Sequence, residues 1–130
     1  MQLISIIMPY YKKIDCINRA IKSVTKQTYK KFELIIVYDD QNLEDYYKIK
    51  KFIRINKKIK VIKNKKNIGA GESRNIGIKN SNGNIITFID SDDTWHPQKL
   101  KKQLNFLNKN NYNFIFCGYR KILRKKSIKV

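Results

Sequence analysis

Residues 32–40 read FELIIVYDD, and this stretch decides the architecture. A run that is apolar at nearly every position, rich in β-branched side chains and closed by two aspartates suits a strand covered on both faces. A strand with one wet face would alternate apolar and polar residues instead. The same design recurs on either side. Residues 3–8 (LISIIM) form a second buried run, expected to stop at Pro9. Residues 84–89 (NIITFI) form a third, ending at Asp90. Residues 60–63 are short and lysine-flanked, which suits a sheet edge because lysines discourage mispairing. Residues 113–119 are the last segment with strand character.

Between the strands the period changes. Ile17, Ala20, Ile21 and Val24 recur at helical spacing and predict a helix over residues 15–27. Ile49, Phe52 and Ile53 predict another over residues 43–56. The glycine-containing loop NIGAG at 67–71 leads into a third, expected at 72–80 and closed by Ser81-Asn82-Gly83. Pro97 suits the first position of a fourth, with Leu100, Leu104 and Leu107 inward. Such alternation predicts an α/β fold with a mostly parallel sheet, right-handed crossovers and helices on both faces.

The 130 residues fit one domain, 1–130. The net charge of +19 comes from 29 basic and 10 acidic residues, which on charge alone suggests nucleic acid or an anionic membrane. Yet the lysines are spread along the whole chain, and nearly half of it is Ile, Lys or Asn. That bias reads as surface filling by an AT-rich genome, so no nucleic-acid partner is expected. Peripheral association with anionic lipid stays open. Cys16 and Cys117 lie far apart among apolar residues, which argues against a disulfide or zinc site and suits a reducing, cytoplasmic compartment. The first residues do not resemble a signal peptide, and no apolar run approaches the roughly 20 residues of a membrane span.

In open α/β sheets ligands bind beyond the carboxyl ends of the strands. Half of the acidic residues fall there: Asp39, Asp40, Asp90, Asp92 and Asp93. Side chains alternate along an extended chain, so Asp90 and Asp92 share a side and Ser91 turns away. Two carboxylates on one side repel, and Mg²⁺ or Mn²⁺ between them resolves the conflict. The plainer role is that they end a strand and cap the next helix. Asp39 suits a turn or an acceptor for a nucleobase N–H. Tyr11 suits base stacking or sheet-edge packing. Arg74, in the first turn behind the glycine loop, suits contact with an anion. His96, the only histidine, has no evident nucleophile partner and reads as structural.

Four segments, taken in order, resemble glycosyltransferase family 2, inverting enzymes of the GT-A fold. SIIMPYYK is similar to the family's S-I-I-x-P-x-Y-N. SVTKQTYKKFELIIVYDD is similar to S-x-x-x-Q-T-Y-x-x-F-E-I-I-I-V-D-D. NIGAGESRNIGI resembles N-x-G-x-x-x-A-R-N-x-G, and ITFIDSDDTWHPQKL resembles the segment carrying the family's D-x-D. The resemblance implies a nucleotide-sugar site formed by Pro9, Tyr11, Asp39, Arg74, Asp90, Ser91 and Asp92. Pro9 and Tyr11 would lie beside the base, commonly uracil, and Asp39 would hydrogen-bond it. Arg74 would lie near the nucleotide. Asp90 would contact the ribose or the metal's water shell, and Asp92 would bind Mn²⁺ or Mg²⁺ bridging the diphosphate of a UDP-sugar. The acceptor implied is a glycan or a lipid-linked glycan, at the inner face of a membrane.

Three departures stand out. Tyr38-Asp39-Asp40-Gln41 replaces D-D-G-S, which suggests an altered base pocket. Lys12 takes the place of a frequent Asn. Glu72-Ser73 stands where small residues are usual. Family domains also continue past the strand expected at 113–119 into an acceptor-binding half that carries the catalytic base. No catalytic residue is identifiable in these 130 residues, and the chain reads as C-terminally truncated relative to that pattern. An inactive fragment and a basic nucleic-acid-binding module are the competing readings.

Overall fold

The computed structural model describes residues 1–122. Strands and helices alternate: β1 (Ile4–Tyr10), α1 (Ile14–Thr25), β2 (Phe32–Tyr38), α2 (Leu43–Ile53), β3 (Ile59–Lys63), α3 (Ala70–Lys79), β4 (Ile85–Phe88) and α4 (Lys99–Asn110). The four strands form one parallel sheet in the order β3-β2-β1-β4. The chain steps outward from β1 to β2 and β3, then returns across the sheet to place β4 on the far side of β1.

Side-chain alternation sorts the core. Ile4, Ile6, Met8 and Tyr10 of β1, with Leu34, Ile36 and Tyr38 of β2, pack into one cluster with Ile17, Ile21 and Val24 of α1, Ile49 and Ile53 of α2, and Leu100 and Leu104 of α4. Fully burying one such aliphatic side chain contributes about 1.5–3 kcal/mol. The opposite face, with Ile7, carries α3. A Cβ on Gly77 would come within 2.4 Å of Ile7 Cγ2, so only glycine lets α3 lie this close to β1. At the amino-terminal end of the sheet, Glu33 ties three segments together. It accepts from Ser5 Oγ at 2.6 Å and from the Asn82 backbone N–H at 2.6 Å. Burial pushes its carboxyl up, but these hydrogen bonds and the Lys60 ammonium hold it below the ordinary range.

Several expectations need correction. β1 does not stop at Pro9 but runs on through Tyr10. Ile4 N–H faces β2 and Ile7 C=O faces β4, so by alternation the nitrogen of Pro9 faces the β4 side. The β4 ladder ends at Ile7↔Phe88, because its next rung would need a Pro9 N–H donated to Ile89 C=O, whereas the β2 ladder does not use that nitrogen and carries β1 on to Tyr10. β4 is less buried than its composition suggests, with Phe88 43% exposed. α4 starts at Lys99 rather than at Pro97, which sits in the turn before it. The strand expected at 113–119 is not formed. Phe114 and Phe116 are 79% and 84% exposed, and the segment lines a cavity of about 730 Å³ with β4 and α4. Aromatic and β-branched composition favours a pleated surface but does not supply the neighbour a ladder needs. Residues 123–130 lie outside the described residues.

Replacing Gly77 by Ala should lower the melting temperature, because overpacking against Ile7 costs about 1–3 kcal/mol and offsets any gain in helix propensity. Gly71→Ala, in the same helix with nothing within 4 Å, should raise it instead, by up to about 1 kcal/mol of stability. Thermal melts of the two variants check the pair.

Candidate nucleotide-sugar site

The carboxyl ends of β1, β2 and β4 and the start of α3 surround a pocket of about 360 Å³. All seven residues singled out from sequence line it: Pro9, Tyr11, Asp39, Arg74, Asp90, Ser91 and Asp92. They come from four separate segments. The pocket sits where the strand order reverses, between β1 and β4, which is where open α/β sheets bind ligands.

Asp39 is 2% exposed and organises one wall. Oδ1 accepts from Asn64 Nδ2 at 2.8 Å and from Ile68 N–H at 2.9 Å. Oδ2 accepts from Gly69 N–H at 2.8 Å and from Asn67 Nδ2 at 3.1 Å. Gly69 has φ +87°, a left-handed conformation that glycine adopts without a Cβ penalty. This turn aims two successive N–H groups at one carboxylate and launches α3, whose first turns carry Ser73 and Arg74. The carboxylate expected to meet a nucleobase is thus already engaged in holding the loop that shapes the pocket.

The acidic tip carries charge that the protein itself balances. Arg74 Nη2 donates to Asp90 Oδ1 at 2.7 Å, and Lys13 Nζ lies 3.0 Å from Asp92 Oδ2. Asp90 and Asp92 are about half exposed, whereas Ser91 is buried at 4% exposure; residues 90–93 form a turn closed by Asp93 N–H on Asp90 C=O, so the alternation expected of an extended chain does not apply there. The Lys13 ammonium is held above its ordinary range by its hydrogen bond to Asp92. Asp93 is pushed up, first by burial and then by the charges of Asp90 and Asp92.

The departures from the family pattern have local explanations. Tyr38 does not line the pocket. It turns to the α1–α2 face, stacks on Tyr10 with centroids 4.8 Å apart and donates its hydroxyl to the Asn42 carbonyl. Burial pushes that hydroxyl up to about 12. Asp40 does not line the pocket either. Its carboxylate accepts from Lys12 N–H at 3.3 Å and Gln41 N–H at 2.7 Å, tying the turn after β1 to the turn after β2. Lys12 has φ +48°, which explains why Asn, tolerant of that region, is frequent there. Ser73, from the Glu72-Ser73 departure, is fully buried and lies 3.2 Å from Asn64 Nδ2. Sequence reasoning missed Lys13, Asn64 and Asn67. Lys13 and Asn64 carried no distinguishing signal in a chain this rich in both residue types, whereas Asn67 opens the N-x-G motif and could have been found there. His96 makes a turn, its Nδ1 accepting from Gln98 N–H at 3.2 Å.

The sequence model of Glycosyl transferase family 2 matches residues 5–129. The chain belongs to this family. It is 42% identical over 122 residues to an uncharacterized glycosyltransferase of Rickettsia conorii, covering 94% of this chain and 20% of that protein. It is 38% identical over 126 residues to the Escherichia coli UDP-Glc:alpha-D-GlcNAc-diphosphoundecaprenol beta-1,3-glucosyltransferase WfgD, covering 97% of this chain and 49% of that protein. The crystal structure of S. aureus TarS 1–349 in complex with UDP-GlcNAc superposes with a TM-score of 0.72 at 30% identity, covering 85% of this chain and 32% of that one. The chain thus spans between a fifth and about half of the length of these relatives, and its fold is part of the family's GT-A fold. Among the described residues no helix is long and apolar enough to cross a membrane.

Asp39→Asn should destabilise the fold by roughly 1–3 kcal/mol, because an amide NH₂ would face one of the loop donors and leave it unpaired in the interior. Hydrogen exchange should speed up at residues 67–70 before it does in β1. Unchanged exchange there would remove Asp39 as the anchor of the loop.

Proposed function

We propose that the chain forms the nucleotide-sugar-binding part of a metal-dependent, inverting glycosyltransferase that uses a UDP-sugar and acts in polysaccharide or lipid-linked glycan assembly. The observation that carries this is the convergence of Tyr11, the Asp39-anchored loop, Arg74, Asp90 and Asp92 on one pocket at the reversal of strand order. Family membership, a relative named for a UDP-glucose donor and a solved neighbour holding UDP-GlcNAc support a uridine donor. The diphosphoundecaprenol-linked substrate in that relative's name supports a lipid-linked acceptor, and with it a place at the inner face of a membrane.

The residues present fit a hard divalent ion that arrives with its substrate. Among the described residues no group of three or more His, Cys, Asp or Glu could hold a metal alone. Mg²⁺ and Mn²⁺ favour oxygen ligands, and Mg²⁺ characteristically takes one or two carboxylates plus substrate phosphates. Asp90 and Asp92 are half-exposed carboxylates with that capacity. When bound, the ion supplies charge neutralisation for the departing diphosphate, an effect of several kcal/mol. Lys13 and Arg74 add positive charge at the same place, Tyr11 offers a half-exposed ring to the base, and Asp39 keeps the loop wall in register. The acceptor hydroxyl attacks the anomeric carbon as its bond to the diphosphate breaks. The group that takes the hydroxyl proton is, in this proposal, supplied from outside these 130 residues.

UDP with Mn²⁺ should raise the melting temperature. At a ligand concentration of 100 Kd the stabilisation is about 2.7 kcal/mol, roughly 10 °C for a domain of this size. Asp92→Ala should abolish the shift. No shift with UDP or GDP under either ion would contradict the proposed function.

A further inference from the structure

The segment S-x-x-x-Q-T-Y at Ser23–Tyr29 lines no part of the pocket, yet Ser23, Gln27 and Thr28 within it bond to one distant stretch of chain. Gln27 is fully buried. Its Nε2 donates to the His96 carbonyl at 2.8 Å and to the Ser23 carbonyl at 3.2 Å, and its Oε1 accepts from Leu100 N–H at 3.1 Å. Ser23 Oγ accepts from Trp95 N–H at 3.0 Å. Thr28 N–H donates to the Pro97 carbonyl at 2.8 Å. The Thr28 hydroxyl also donates to that carbonyl at 3.3 Å, so five hydrogen bonds join the carboxyl end of α1 to residues 95–100.

Residues 95–100 follow the acidic tip directly. On its other side the tip is fixed at Ile89, which is 3% exposed and donates its N–H to Ile7 C=O at 3.1 Å. Asp90–Thr94 is therefore a five-residue span held at both ends, closed internally by Asp93 N–H on Asp90 C=O at 3.0 Å. From Asp92, beside Lys13, to Pro97, beside Thr28, the chain follows α1 from just before its first residue to just past its last. That helix is about 18 Å long, and the chain is tied to it near both ends, weakly at Lys13 and by several hydrogen bonds at Ser23–Thr28.

We propose that Ser23, Gln27 and Thr28 are positioning residues: they hold the carboxylates of Asp90 and Asp92 at the pocket without touching a ligand. The inference rests on the proposed function, because it concerns the same pair of carboxylates. A buried amide that bonds to backbone on both sides fixes the loop more firmly than the exposed ion pairs do, since Lys13–Asp92 and Arg74–Asp90 are exposed to solvent and weak.

The test measures UDP affinity in Mn²⁺ and in EDTA, for the wild-type chain, for Gln27→Met and for Ser23→Ala, each below its own melting temperature. The ratio of the two affinities isolates the contribution of the acidic tip. It should fall about tenfold in Gln27→Met and by a smaller factor in Ser23→Ala, with affinity in EDTA unchanged within about twofold. Gln27→Met removes the side-chain partner of three backbone groups, the Ser23 and His96 carbonyls and Leu100 N–H, so Ser23→Ala, the milder change, serves as the second variant should the first not fold. A wild-type ratio retained in folded variants, even with lowered melting temperatures, means that the segment only stabilises the fold, and overturns the inference. A ratio of one in the wild-type chain overturns the proposed function first, and the positioning role with it.

Discussion

Everything about the site follows from the position of β1, bonded on both sides at its start and on one side only at its end. Over Ile4–Ile7 it pairs with β2 and β4 together, and beyond Ile7 with β2 alone. The gap left beside Pro9 and Tyr10 is the crevice. The chain leaves β1 in one direction and returns on its other side, so α1 and α2 cover one face and α3 the other, and no crossover closes the space above β1 and β4. Parallel strands all present their carboxyl ends there, so the loops after β1, β2 and β4 and the amino end of α3 converge on it.

The electrostatics of that crevice matter because they are weak where exchange is needed and strong where it is not. Asp39 is buried and accepts four hydrogen bonds. Removing such a carboxylate leaves donors unpaired in the interior, at about 1–3 kcal/mol each. The pairs Arg74–Asp90 and Lys13–Asp92 are largely solvent-exposed, and such pairs contribute about 0–1 kcal/mol. In the proposed function the carboxylates leave these cations for a divalent ion, while Lys13 and Arg74 turn to the diphosphate. The exchange costs little because the partners given up were weakly held.

The fold was legible because its signals are periodic and repeated. FELIIVY needs cover on both faces and matches β2 end to end, and the spacing of Ile17, Ala20, Ile21 and Val24 marks the buried face of α1. The site was legible at its acids, since Asp39, Asp90 and Asp92 follow buried runs. What stayed hidden depends on partners distant in sequence. The part of Gln27 becomes visible only once His96 and Leu100 are beside it. Lys13 is one lysine among many until Asp92 faces it, and residues 113–119 have a strand's composition without a strand's neighbour. The Pro9 boundary misled for a related reason, because the missing N–H ends pairing only on the β4 side, while β2 goes on pairing with β1 through Tyr10.

The central claim is that Asp90 and Asp92 exchange their side-chain cations for a divalent ion when a nucleoside diphosphate binds. Paramagnetic broadening of backbone amide signals by substoichiometric Mn²⁺ tests it most directly. With UDP present, the amides of Asp90, Ser91 and Asp92 should broaden first and those of β3, at the far edge of the sheet, should stay sharp. Broadening spread evenly over the surface acids, or centred on Glu44 and Asp45, would contradict the account.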